Sequence, residues 1–106
     1  MKRFHIAIGV VDLVRSIDDY TGRLGAAPCV VVAGQYALWR TETLNLSIRW
    51  TGEAAGALRH LGWEDPSAPS FSNDTDVNGI VWERFNAEQQ DREILETWPH
   101  ASGIAS

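Results

Sequence analysis

Three histidines stand in this 106-residue chain, and two of them occupy matched positions. His5 lies in RFHIAIGV (3–10), where Phe4, Ile6, Ile8 and Val10 point one way and His5, Ala7 and Gly9 the other. His60 lies in LRHLGWE (58–64), again on the face opposite the bulky residues. An imidazole can hydrogen-bond, carry a proton near neutral pH or ligate a metal. A solitary strand histidine is most often a hydrogen-bonded structural residue; the repetition, one at the opening of each half, sets this pair apart. His100, near the end, reads as solvated. A second group is the stripe Asn45, Ser47 and Arg49, alternating along LNLSIRW (44–50). Facing inward, the stripe would bind an anionic or carbonyl group; facing outward, it is an ordinary solvated face. Arg40 and Trp39 sit on the neighbouring strand, and Trp39 is the aromatic placed beside the stripe as a substrate contact. The chain holds five tryptophans, which serve as core or interface anchors or wall a pocket. Cys29, beside a valine run, reads as a small buried hydrophobe.

The elements that must position these groups follow from periodicity. After the first strand, Asp12 is an N-cap, Leu13, Ile17, Tyr20 and Leu24 recur at helical spacing, and Gly25 supplies the left-handed stop. PCVVVA (28–33) is a β-branched run, Gly34-Gln35 a tight turn, and YALWRT (36–41) and LNLSIRW two alternating strands. Residues 51–57 are small and Gly-rich, a link between two modules. Residues 65–74 are mostly loop, with a short strand around Phe71. Residues 75–85 fit two periods. Val77, Ile80, Val81 and Phe85 have helical spacing, yet Asp76-Val77-Asn78-Gly79 is turn chemistry followed by β-formers, and Gly79 inside a helix costs about 1 kcal/mol relative to Ala. Asn86 and Gln89 form a capping box for a last helix, which Pro99 stops. The tail from His100 to Ser106 is expected to fray.

Composition narrows the function. Hydrophobic residues make up 44% and charged residues 22%, as in ordinary globular domains, so one domain over 1–106 is expected. The net charge is −5 with no basic block, which argues against a nucleic-acid partner. One cysteine excludes an intrachain disulfide framework and a thiolate metal cluster. No apolar run is long enough to cross a bilayer, and Met-Lys-Arg is not followed by a signal-peptide core, so the expectation is a cytoplasmic protein. A chain this short buries a modest core, and pairing into a homodimer would help.

The opening FHIAIGVVDLVRSIDDYTGRLG resembles the first strand and helix of the vicinal oxygen chelate superfamily, which includes glyoxalases, bleomycin-resistance proteins and extradiol dioxygenases. RTETLNLSIRW resembles its fourth strand, and GALRHLGWE the start of its second module. The superfamily pairs two β-α-β-β-β modules around a metal. Its last strand usually follows Asp-Pro-(Asp/Asn)-Gly, with Trp-Glu three and four residues after the Gly and an aromatic two further on. Here Asp76-Val77-Asn78-Gly79-Ile80-Val81-Trp82-Glu83-Arg84-Phe85 keeps five identities at that spacing, with Val77 in place of Pro. That register favours turn and strand over helix. In one branch of the superfamily, a histidine on the first strand, a histidine on the first strand of module two and a glutamate on the last strand hold the metal. The resemblance therefore implies His5, His60 and Glu83 as ligands of one divalent ion (Fe, Mn, Ni, Zn or Co). The paired cysteines of the organoarsenical lyases in that branch are absent.

Two neutral imidazoles and one carboxylate leave about three positions of an octahedral ion free, which suits chelation of a substrate through two neighbouring oxygens. The resemblance thus implies an α+β fold: a β-α-β-β-β module over 1–50, a shortened second module over 58–85, a mixed sheet curved into a cup, and a C-terminal helix over 86–98. Only 22 residues separate His60 from Glu83, where the superfamily has a helix and two further strands, so one side of the cup is expected to be open or completed by another subunit. The implied function is metal-dependent lyase, isomerase or oxygenase chemistry on a small substrate. The alternatives are capture of a small molecule without catalysis, as bleomycin-resistance proteins do, and a structural protein whose cup is filled by side chains.

Overall fold

Alternating strands and two capped helices set the chain order, and a computed structural model describes residues 1–104 of it. The elements are β1 (Arg3–Val10), α1 (Leu13–Leu24), β2 (Val30–Val32), β3 (Tyr36–Arg40), β4 (Leu44–Trp50), β5 (Leu58–Glu64), β6 (Ser72–Thr75), β7 (Val81–Phe85) and α2 (Ala87–Thr97). The strands form one open, mixed sheet in the order β2-β3-β4-β1-β5-β7-β6. β1 is central, parallel to β4 and antiparallel to β5. β5 is parallel to β7, and β6 is antiparallel to β7. The group β5-β7-β6 therefore repeats the arrangement of β1-β4-β3. The helix and extra strand that accompany the first group have no counterpart in the second among the described residues, as the shortened second module requires.

The two faces of the sheet have different jobs. Ile6, Ile8, Val10, Trp39, Leu46 and Ile48 pack against Leu13, Ile17, Tyr20 and Leu24 of α1. That helix starts where the Asp12 side chain accepts from the Arg15 N–H and ends at Gly25, whose φ of 67° is the left-handed stop. On the opposite face, Ile94 and Leu95 of α2 pack with Val30, Val32, Tyr36, Leu38 and Trp98. α2 opens on the expected capping box, with Asn86 and Gln89 each bonding the other's backbone N–H. It covers the β2-β3 side of this face, while His60 on β5 and Glu83 on β7 stay partly exposed. On the α1 side of the sheet, no helix covers the β5-β7 half among the described residues. There Phe4 and Trp63 meet edge to face at 5.2 Å between centroids, Trp82 lies beside them, and Trp63 remains 40% exposed.

Three sequence expectations need correction. The tail does not fray as far as residue 104: Ser102 and Val31 exchange both backbone hydrogen bonds and Ala101 is buried, so the tail pairs with the outer edge of β2. Cys29 is exposed, because β2 begins only at Val30; its thiol donates to the Leu38 carbonyl at 3.4 Å. The strand expected around Phe71 lies at Ser72–Thr75, four exposed polar residues held by backbone pairing to β7. No helix among the described residues is long and apolar enough to cross a membrane. Because the Asn86 side chain accepts from the Gln89 N–H at the start of α2, Asn86→Ala should destabilise the fold by about 1 kcal/mol. This would be read as a lower urea midpoint with an unchanged slope.

Candidate metal centre

Register alone brings three distant side chains together. His5 pairs with Gly62 across the β1-β5 ladder, and Ala7 pairs with His60, so both imidazoles lie on one face. Gly62 in turn pairs with Glu83 across β5-β7, which puts the carboxylate on the same face. Gly62 itself makes the approach feasible: a Cβ there would collide with the backbone carbonyl of Glu83.

The donor atoms converge. His5 Nε2 and His60 Nε2 are 2.9 Å apart, His60 Nε2 lies 2.9 Å from Glu83 Oε1, and His5 Nε2 lies 3.8 Å from the same oxygen. A single point can lie about 2.1 Å from all three atoms, which is the length of a bond from zinc to nitrogen or a carboxylate oxygen. The donor set therefore fits a divalent ion. It is the one cluster of at least three such ligating residues among the described residues.

A buried polar network sets which nitrogen of His5 faces the site. Asn45 Nδ2 donates to Glu64 Oε1 at 2.9 Å and to Gln90 Oε1 at 2.8 Å. Those two acceptors fix the amide orientation, so Asn45 Oδ1 must accept the 2.8 Å bond from His5 Nδ1. His5 then carries its proton on Nδ1 and turns the lone pair of Nε2 toward His60 and Glu83, the arrangement that ligating histidines use. Glu64 is itself paired with Arg3, and Arg40 Nε faces it at 3.4 Å without forming a hydrogen bond. Arg40 Nη2 ties the network to α2 through Gln90 at 2.9 Å and Asp91 at 2.7 Å. Phe85 meets the His5 ring edge to face at 5.0 Å, and Phe71 stacks on Phe85 at 5.2 Å.

Electrostatics keep His5 neutral. Burial pushes its pKa below the ordinary 6.5, the nearby His60 adds to this, and the bonds to Asn45 and the proximity of Glu83 pull weakly the other way. Tyr36 is pushed up to about 12 by burial, with the Ser47 hydroxyl opposing, so its phenol stays protonated. Arg59 is lowered by burial and by the like charge of Arg49.

The three candidate ligands open into a cleft of about 140 Å3 whose walls include Tyr36, Ser47, Arg49, Arg59, Phe71 and Trp98. Of the residues singled out in the sequence, His5, His60 and Glu83 meet, and Ser47 and Arg49 line the cleft beside them. Asn45 is fully buried beneath His5 and orients it; it is no substrate contact. Trp39 is not a substrate contact either. It pairs with Leu46 on the α1 face, fully buried, and its indole N–H donates to the Ala26 carbonyl at 2.9 Å. Its neighbours Tyr36, Leu38 and Arg40 take the cleft face instead, because adjacent strand residues cannot share one. Sequence reading missed Tyr36, which the alternation of YALWR could have revealed. It also missed Arg59, which strict alternation assigns to the other face. A β-bulge opposite Ala7 and Ile8 brings Arg59 to the cleft together with His60.

No protein-family model matches the chain, and no curated protein matches it by sequence.

Two outcomes follow from this geometry. Gly62→Ala should force β5 and β7 apart at Glu83 and weaken metal uptake more than tenfold while circular dichroism still reports a folded sheet; unchanged uptake would show that the close approach is not needed. His5 has a folded pKa below its unfolded value, so its contribution to stability is complete above pH 6.5 and is lost as pH falls through the lowered value. The urea midpoint of the chelator-treated chain should therefore change little above pH 6.5 and fall below it, with a shallower fall in His5→Gln.

Proposed function

We propose that the chain is a metal-dependent enzyme of the vicinal oxygen chelate type, acting on a small substrate held through two neighbouring oxygens. The observation that carries this reading is the convergence of His5 Nε2, His60 Nε2 and Glu83 Oε1 at one wall of an open cleft. The sequence resemblance supports the same three residues in the same roles.

A divalent ion bound there would supply Lewis-acid polarisation of the substrate oxygens or, as iron, a site for dioxygen. The rest of the work belongs to side chains. Asn45 holds His5 in one tautomer, and Glu83 contributes the negative charge that a cation requires. Burial keeps His5 ready to ligate without first losing a proton at neutral pH. Tyr36 keeps its phenolic proton and can donate to a substrate oxygen that gains charge. Phe71 and Trp98 give the cleft apolar surface against which the body of a substrate can pack.

Elemental analysis of the chain purified without chelator or affinity tag tests this reading. About one equivalent of a transition metal is expected, lost in Glu83→Ala and in His60→Ala, with thermal unfolding still cooperative in both. No uptake after anaerobic reconstitution with Fe, Mn, Ni, Co and Zn would move the cleft to the role of a small-molecule binder.

A further inference from the structure

The cleft beside the three candidate ligands holds two guanidinium groups that form no ion pair among the described residues. Five of the eight arginines pair with carboxylates: Arg3 with Glu64, Arg23 with Asp19, Arg40 with Asp91, Arg84 with Asp65 and Arg92 with Glu88. Arg15 is exposed on α1. Arg49 and Arg59 remain, both partly buried and both lining the cleft, and neither has an ion-pair partner among the described residues. The chain has an excess of acid, with a net charge of −5, so carboxylates are not scarce. Partly burying two unpaired like charges side by side is costly unless an anion joins them.

The local structure prepares both groups for a ligand. The Arg49 guanidinium stacks over the Trp98 ring at 4.9 Å, which fixes its plane and leaves its N–H edge free for a planar or tetrahedral oxyanion. Arg59 reaches the cleft only through the bulge beside His60. Three carboxylates are near, of which Glu53 acts on Arg59 but forms no ion pair with it. Glu83 is engaged with His60 at 2.9 Å, and Glu93 lies on the α2 wall of the cleft, in no ion pair with either arginine. A divalent ion at the three ligands would draw on the Glu83 charge and leave the cleft still more positive.

We propose that Arg49 and Arg59 form an oxyanion clamp, and that the substrate is a small acid whose carboxylate or phosphoryl group sits between them while its oxygen pair faces His5, His60 and Glu83. The second half of this statement rests on the metal-centre reading; the clamp does not. The volume of the cleft, about 140 Å3, is on the order of a cavity that accepts benzene, so the enclosed part of the ligand is small.

Calorimetric titration of the metal-free chain with inorganic phosphate tests the clamp, with metal uptake measured in parallel. Saturable binding is expected. It should weaken at least tenfold in Arg49→Gln and in Arg59→Gln and stay unchanged in Arg15→Gln. Absence of saturable binding, or equal binding in all three variants, overturns the clamp whether or not metal is taken up. Phosphate binding with these losses but without metal uptake keeps the clamp and overturns the metal reading. If a glutamine variant fails to fold, phosphate-dependent shifts of the Arg49 and Arg59 Nε resonances in the unsubstituted chain report the same contact, and their absence overturns it.

Discussion

The backbone of Glu83 lies against the bare α-carbon of Gly62, and the geometry of the site depends on that contact. Gly62 is paired with His5 on one side and with Glu83 on the other, so it is the spacer between a candidate ligand on β1 and another on β7. A side chain there would lengthen the gap that three donor atoms now close to 2.9–3.8 Å. Loss of a side chain from a strand interior ordinarily weakens it. Here the loss is offset by parallel pairing that reaches from Leu61 to Glu64 and seats Phe85 in a fully buried position.

Around this contact the protein keeps an unusual amount of polarity out of water. Asn45, Gln90, Glu64 and His5 are all buried, and each has partners. Such a network gains little net stability, because every group gives up hydration to enter it. What it provides is direction. The amide of Asn45 has only one orientation consistent with its two acceptors, and that orientation dictates the His5 tautomer. Arg40 links the same network to α2, so the helix that walls the cleft and the histidine at its floor share one set of hydrogen bonds.

Much of this was legible in the sequence because the signals were local. The alternation of FHIAIGV set the face of His5, Asp12 and Gly25 bounded the first helix, and Asn86 with Gln89 opened the last. Asp76-Val77-Asn78-Gly79 was legible as a turn, although the hydrophobic spacing of 77–85 fits a helix equally well; the Asp76 carboxylate accepts from the N–H groups of Asn78 and Ile80 and from the Trp82 indole. What was not legible depends on long-range pairing. Ser72–Thr75 has no apolar pattern and is a strand only because β7 offers it an edge. Trp39 pairs with Leu46 and so faces α1 rather than the side of the Asn45-Ser47-Arg49 stripe, and Arg59 was hidden by a bulge that exists only when β1 and β5 meet. The docking of Ser102 on β2 likewise has no signature in the tail itself.

The central place of β1 also orders events in time. This strand precedes both of its partners in the chain, and His5 meets Asn45 across 40 residues and His60 across 55. Neither edge of β1 can pair before β4 and β5 are present, and closing loops of that length precedes any reward from the contacts they permit. The three donor atoms therefore meet only after those long loops have closed. An ion that needs all of them cannot guide the chain to its fold. It can only retain molecules that have already arrived, shifting the balance by mass action in proportion to its free concentration.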